Sequence, residues 1–148
     1  MIRDALISDV PILVGLVRKL HEESYISRFC DDKTESSINS YIEDEDFIIL
    51  VNASDNVING FIIACVAKPF YNNCIQAHEI ILYVKPEFRR MSIGALLVNE
   101  YVSWAKSRSA YEIFIDTRTA IETRKTEQFY ENIGFSRIGS YYHKEEIE

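Results

Sequence analysis

A β-strand that stops at a proline and resumes as an amphipathic helix is the feature that most constrains this chain. It lies in YVKPEFRRMSIGALL, Tyr83 to Leu97. Ile80 to Val84 is an unbroken run of strand-forming apolar residues, and Lys85 and Pro86 end it, because proline has no amide to donate to a ladder. From there the apolar positions fall at Ile93, Leu96, Leu97, Tyr101 and Trp104, the spacing of one helix face. Between strand and helix stand Arg89, Arg90, Met91 and Ser92. The first amides of a helix point outward without partners and carry partial positive charge, so two arginines just before them suit a phosphate or pyrophosphate. An ordinary strand-to-helix connection with solvated arginines accounts for this segment alone equally well.

The rest of the chain supplies a sheet for that strand. Ile2 to Leu6 can form a first strand. Ser8 and Asp9 then offer capping oxygens, Pro11 falls in a first helical turn, and Val10, Leu13, Val14, Val17 and Leu20 form a stripe. A second helix is predicted from about Thr34, with Ile38, Tyr41 and Ile42 on one face and Asp32 with Glu35 as a capping box. Residues 24–33, between the two helices, mix Tyr25, Phe29, Asp31 and Asp32, which fits a loop lining a ligand or a plain surface loop. Phe47 to Val51 and Gly60 to Ala67 read as a hairpin around the polar turn NASDNVIN. Ile75 to Val84 and Tyr111 to Asp116 are further strands. A last helix covers about Glu122 to Ile133, with Gly134 as its left-handed cap, and Phe135 to Tyr142 can form one or two final strands. The predicted class is α/β in the α+β sense, a mixed and mostly antiparallel central sheet flanked by about four helices, in the order β-α-α-β-β-β-α-β-α-β(-β).

Composition narrows the function. At 148 residues, with 47% apolar and 12% aromatic residues, the chain suffices for one domain, residues 1–148, with a full-sized core. Its charge of −7, from 16 Lys and Arg against 23 Asp and Glu, argues against a nucleic-acid surface. Cys30, Cys65 and Cys74 are odd in number and lack CxxC spacing, so reduced thiols and a cytoplasmic location are expected. No apolar run approaches the ~18 residues of a membrane span, and no membrane partner is expected. His21, His78 and His143 lack ligand spacing, so no metal is expected, and no GxSxG elbow marks a hydrolase. A homodimer is the default for a small oligomer.

Two motifs, in this order and at this separation, resemble the GNAT superfamily of N-acetyltransferases, which use acetyl-coenzyme A. The family's pyrophosphate loop reads Q/R-x-x-G-x-G/A. Here Arg89, Arg90, Met91, Ser92, Ile93 and Gly94 occupy it, with Ser92 where the first glycine is usual. Downstream, Phe129-Tyr130-Glu131-Asn132-Ile133-Gly134-Phe135 matches the second motif. Thr123 and Thr126 stand where an asparagine and an alanine are usual.

The resemblance implies that acetyl-coenzyme A is co-substrate and that an amine is the second partner. It implies direct attack through a ternary complex, and a cofactor site of Leu82, Tyr83, Val84, Arg89, Arg90, Met91, Ser92, Ile93, Gly94, Ala95, Thr123 and Tyr130. An alkylamine titrates near pH ~10.4 and must lose a proton to attack. Glu79, ten positions before Arg89, matches the base of some relatives, and a structural carboxyl is the equal alternative. A backbone amide near residues 82–84 would stabilise the developing oxyanion, and Tyr130 would protonate the departing thiolate. A second hypothesis is a regulatory module that binds acyl-coenzyme A with little or no catalysis, raised by Ser92 and Thr123.

Overall fold

The structure is a computed structural model that describes residues 1–24 and 28–146. Tyr25, in the predicted loop between the first two helices, lies outside the described residues. Five strands form one sheet in the order β1 (Ile2–Asp4), β2 (Phe47–Ser54), β3 (Val57–Ala67), β4 (Gln76–Val84) and β5 (Glu112–Phe114). The first three pairings are antiparallel and the last, β4 with β5, is parallel. The helices are α1 (Val10–Glu23), α2 (Asp31–Glu43), α3 (Ile93–Ser107) and α4 (Thr123–Asn132).

Alternation along the strands divides the core into two layers, because successive side chains point to opposite faces. Phe61, Ile63 and Tyr83 pack with Leu13, Leu20 and Ile38 from α1 and α2. Ile62, Ala64 and Ala77 pack with Ile93, Leu97, Val98 and Tyr101 from α3, and Phe129 of α4 joins that side. The hairpin is tighter than NASDNVIN suggested, since β2 and β3 run on until only Asp55 and Asn56 remain. Their φ angles of 50° and 64° are the left-handed pair that matches the strand twist. Gly60 meets a different demand, because a Cβ there would stand 2.9 Å from the carbonyl oxygen of Tyr83.

Two expectations are corrected. The second helix starts at Asp31 rather than near Thr34, with Cys30 as its N-cap and no side-chain cap, so the Asp32–Glu35 capping box does not form. Asp31 and Asp32 instead occupy the first turn, where the helix dipole favours carboxylates, and Arg18 of α1 pairs with Asp31. The final strand or strands predicted at Phe135 to Tyr142 are not formed. β5 is the edge of the sheet, and after Phe135 donates its amide to the Tyr130 carbonyl the described residues that follow lie along no strand. Strand propensity without a ladder partner does not make a strand.

Candidate active site

The parallel pairing between β4 and β5 lasts three residues, from Gln76 with Glu112 to His78 with Phe114. Beyond it β4 runs on to Val84 alone on that side, and the sheet opens into a fork. At its root β4 carries a bulge: Ile81 pairs with Ile63 but Glu79 pairs with Ala64, so Ile80 is the extra residue. The pairing also decides which backbone groups face the fork. Lys85 donates its amide to the carbonyl of Asn59 in β3, and polar groups alternate sides along an antiparallel strand. Tyr83 therefore turns its amide and carbonyl to β3, whereas Leu82 and Val84 present theirs to the open side. Of the three strand residues expected to meet cofactor, Leu82 and Val84 turn their main-chain groups to the open side. Tyr83 sends its ring into the core and its hydroxyl to Glu23, 2.9 Å away.

Past the free end of β4, a 3-10 turn at Pro86–Phe88 leads into α3. Ser92 is the N-cap and makes no side-chain cap. Among the described residues the amides of Ile93, Gly94 and Ala95 meet no acceptor, as first-turn amides do not. Ile93 buries its side chain, so its amide is what it offers. A Cβ on Gly94 would touch Phe129 of α4 at 3.5 Å, an ordinary contact, so internal packing does not require glycine there. Ser92 has φ −76°, a value open to any residue, and the usual glycine is not needed for this turn. Arg90, Met91 and Ser92 are exposed.

Arg89 is placed differently from the expectation that it reaches for an anion. Its Nε donates to the carbonyl of Val84 at 2.8 Å and its guanidinium pairs with Glu23 at 2.8 Å. Glu23, the last residue of α1, carries no local motif and is absent from the sequence-based site. Thr123 opens α4 half-buried, and the carboxyl of neighbouring Glu122 is held below its usual range chiefly by its hydrogen bond and charge contact with Lys125, with smaller contributions from Arg89 and Arg90 of the loop.

Inside the fork, Glu79 and Tyr130 come together. Glu79 shares the face of Ala64, toward α3 and α4, and is 5% exposed. Burial first, and then the nearby charge of Asp116, push its carboxyl up to about 8. It accepts one hydrogen bond, from the amide of Asp116 at 3.3 Å. The carbonyl of the same Asp116 accepts from the Tyr130 hydroxyl at 3.1 Å. One residue just beyond β5 thus holds both candidate catalytic groups. In the sequence Asp116 reads only as the end of a strand, because these contacts lie in its backbone. Burial, and then the Glu79 charge, raise the Tyr130 phenol above its ordinary value, so it stays protonated. Tyr101 of α3 donates to the carbonyl of Phe114 at 2.8 Å and closes the inner wall.

Such a fork can take an extended, amide-bearing arm as though it were another strand, with an anionic end at the start of α3 and its far end beside an acid and a phenol. The acetyltransferase (GNAT) family matches residues 15–135, and the chain belongs to that family.

Among its relatives, an amino-acid acetyltransferase of Pasteurella multocida is 28% identical over 135 residues, covering 90% of this chain and 26% of that protein. One from Shewanella oneidensis is 27% identical over 131 residues, covering 88% and 26%. The chain therefore spans about a quarter of the length of the curated relatives it matches. Among solved structures, glucosamine-6-phosphate N-acetyltransferase from Arabidopsis thaliana has TM-score 0.77 at 21% identity, covering 98% of this chain and 97% of that one. AAC(6')-Iy in complex with a bisubstrate analogue has TM-score 0.79 at 19% identity, with coverage of 98% and 97%. At these identities the two structures establish the shared fold. Among the described residues no helix is long and apolar enough to cross a membrane.

Proposed function

We propose that this chain transfers the acetyl group of acetyl-coenzyme A to a primary amine of a small molecule or protein, by direct attack in a ternary complex. The observation that carries this reading is Asp116, whose backbone amide donates to Glu79 and whose carbonyl accepts from Tyr130 at the root of an open fork. Three features of this chain fit the co-substrate. Leu82 and Val84 offer strand-edge groups for a pantetheine arm, the amides of Ile93, Gly94 and Ala95 form an anion cradle, and Arg90 is an exposed cation beside it. Bound there, acetyl-coenzyme A supplies an activated acyl carbon on a thiol leaving group.

The residues then divide the proton work. Ionised Glu79 takes a proton from the attacking amine, directly or through a water. With its carboxyl near 8, about a tenth is ionised at pH 7, but that tenth is a far stronger base than an ordinary glutamate. A carbon–nitrogen bond forms and the carbon–sulfur bond breaks. The amides of Leu82 and Val84 are the donors nearest the fork for the oxyanion that develops between those events. Tyr130 hands its proton to the thiolate. Its raised pKa makes it a weak acid and a persistent hydrogen-bond donor, which suits charge stabilisation as the sulfur departs.

The amino-acid acetyltransferases among the relatives favour a small amine over a protein lysine as acceptor. Thiol release measured against a panel of amino acids, polyamines, aminoglycosides and lysine peptides tests the reading. Turnover with one class, reduced at least tenfold in both Glu79→Gln and Tyr130→Phe, is the expected result. Binding of coenzyme A with no thiol release for any amine would favour the non-catalytic module.

A further inference from the structure

Glu23 gathers two partners from distant parts of the chain. Its carboxylate accepts from the Tyr83 hydroxyl at 2.9 Å and pairs with the Arg89 guanidinium at 2.8 Å. Arg89 in turn donates its Nε to the Val84 carbonyl at 2.8 Å and lies 5.5 Å from the centroid of the Tyr83 ring. Helix α1, strand β4 and the loop before α3 are thereby tied at one point. Both ends of the ion pair are about one quarter exposed, 24% for Arg89 and 28% for Glu23, so the contact is partly shielded from solvent.

Two consequences follow for the site, if the reading above holds. The Val84 carbonyl belongs to the free edge of β4, and Arg89 occupies it, so strand-like pairing is confined to the amide and carbonyl of Leu82 and the amide of Val84. The Arg89 charge is matched by Glu23, so it does not serve as a free cation for phosphate. Attraction for an anion is left to Arg90 and to the amides of Ile93, Gly94 and Ala95, whose aim depends on where residue 89 is anchored.

We propose that Glu23 is a positioning residue for the acetyl-coenzyme A diphosphate: it locks Arg89 onto the end of β4 and so fixes the loop and the first amides of α3. Glu23 touches neither acyl group nor amine, so the effect falls on cofactor binding and not on the chemical step.

The test compares Glu23→Ala, Glu23→Gln and Tyr83→Phe by steady-state kinetics with acetyl-coenzyme A varied, by calorimetric binding of coenzyme A, and by thermal melting without ligand. Glu23→Ala should raise KM for acetyl-coenzyme A and Kd for coenzyme A about tenfold, with kcat within about twofold. Glu23→Gln keeps an oxygen for Tyr83 and Arg89 and should restore most of that affinity. Tyr83→Phe preserves the core ring, folds whether or not the alanine variant does, and should raise KM about threefold. Unchanged or lower KM in Glu23→Ala and Tyr83→Phe would overturn the proposal, a lower value meaning that a released Arg89 grips the phosphates itself. Equal losses of kcat and melting temperature, without a KM change, would overturn it too. If the wild-type protein fails to bind coenzyme A, the underlying reading of the fork falls instead.

Discussion

Glu79→Gln separates a carboxyl held neutral by burial from an ordinary glutamate. In the folded protein the carboxyl rises from its usual 4.5 to about 8, chiefly through burial. Between those two values the folded chain holds a proton that the unfolded chain has released, so stability falls as pH rises. The contribution is complete below about 4.5 and gone above about 8. At ~1.36 kcal/mol per pH unit, this interval of about 3.5 units amounts to roughly 5 kcal/mol. That is an upper bound, since water entering around the charged form shortens it. Glutamine has nearly the same shape, keeps an oxygen for the Asp116 amide and has no proton to lose. Near pH 5 the two proteins should melt within a few degrees of each other. By pH 9 the variant should be the more stable, by on the order of 10 °C for a chain of this size. Differential scanning fluorimetry from pH 5 to pH 9 reads the difference directly, because every other titrating group is common to both proteins. Melting curves that stay parallel across that range would refute a neutral buried Glu79. So would a gap that opens toward acid, which marks an ionised carboxylate stabilised by its partners.

The same titration should appear in catalysis as a rise of kcat/KM with pH, with an apparent pKa near 8, retained in Tyr130→Phe and absent in Glu79→Gln; steady-state profiles check it. Tyr130→Phe should lower kcat about 100-fold and leave coenzyme A affinity unchanged, because the hydroxyl bonds the Asp116 carbonyl while the ring holds the packing. Ser92→Gly should change coenzyme A affinity by less than about twofold and stability by only a few tenths of a kcal/mol, since φ −76° requires no glycine. Gly94→Ala should stabilise the apo protein by up to ~1 kcal/mol, because the new Cβ meets Phe129 only at 3.5 Å; calorimetry should show weaker coenzyme A binding if a phosphate lies against that backbone. Gly60→Ala should destabilise the fold by ~1–3 kcal/mol in denaturant melts, because its Cβ would press the Tyr83 carbonyl at 2.9 Å.

What the sequence made legible is what is local. The strand, proline and helix of Tyr83 to Leu97 follow from residues a few positions apart, as do the hairpin, whose turn proves shorter than NASDNVIN, and the Gly134 cap, whose φ is 103°. The FYENIGF match singles out Tyr130, whose hydroxyl bonds the Asp116 carbonyl. The start of α2 differs from the sequence expectation because two acids at a helix start serve equally as cap or as first turn, and Arg18, thirteen residues before Asp31, favours the second. The final strand failed for a related reason: strand character in residues 135–142 is a preference, and a ladder needs a partner.

Arg89 shows where local reading reaches its limit. Two arginines ahead of a helix suit a phosphate or are simply solvated, but a carboxylate 66 positions away pairs with the first and leaves the second exposed. Glu79 shows the same from the opposite side. Its match to relatives proposes it as a base, whereas its burial and the Asp116 charge set the pH at which its carboxyl ionises. In both cases sequence spacing selects the residue, and a partner from a distant segment sets the state in which it works. Where that partner acts through a backbone group, as the amide and carbonyl of Asp116 do, side-chain type holds no signal to read. A search for such sites among relatives of this chain should therefore begin from the fork between β4 and β5 and ask which residues its walls hold, before asking which motif they spell.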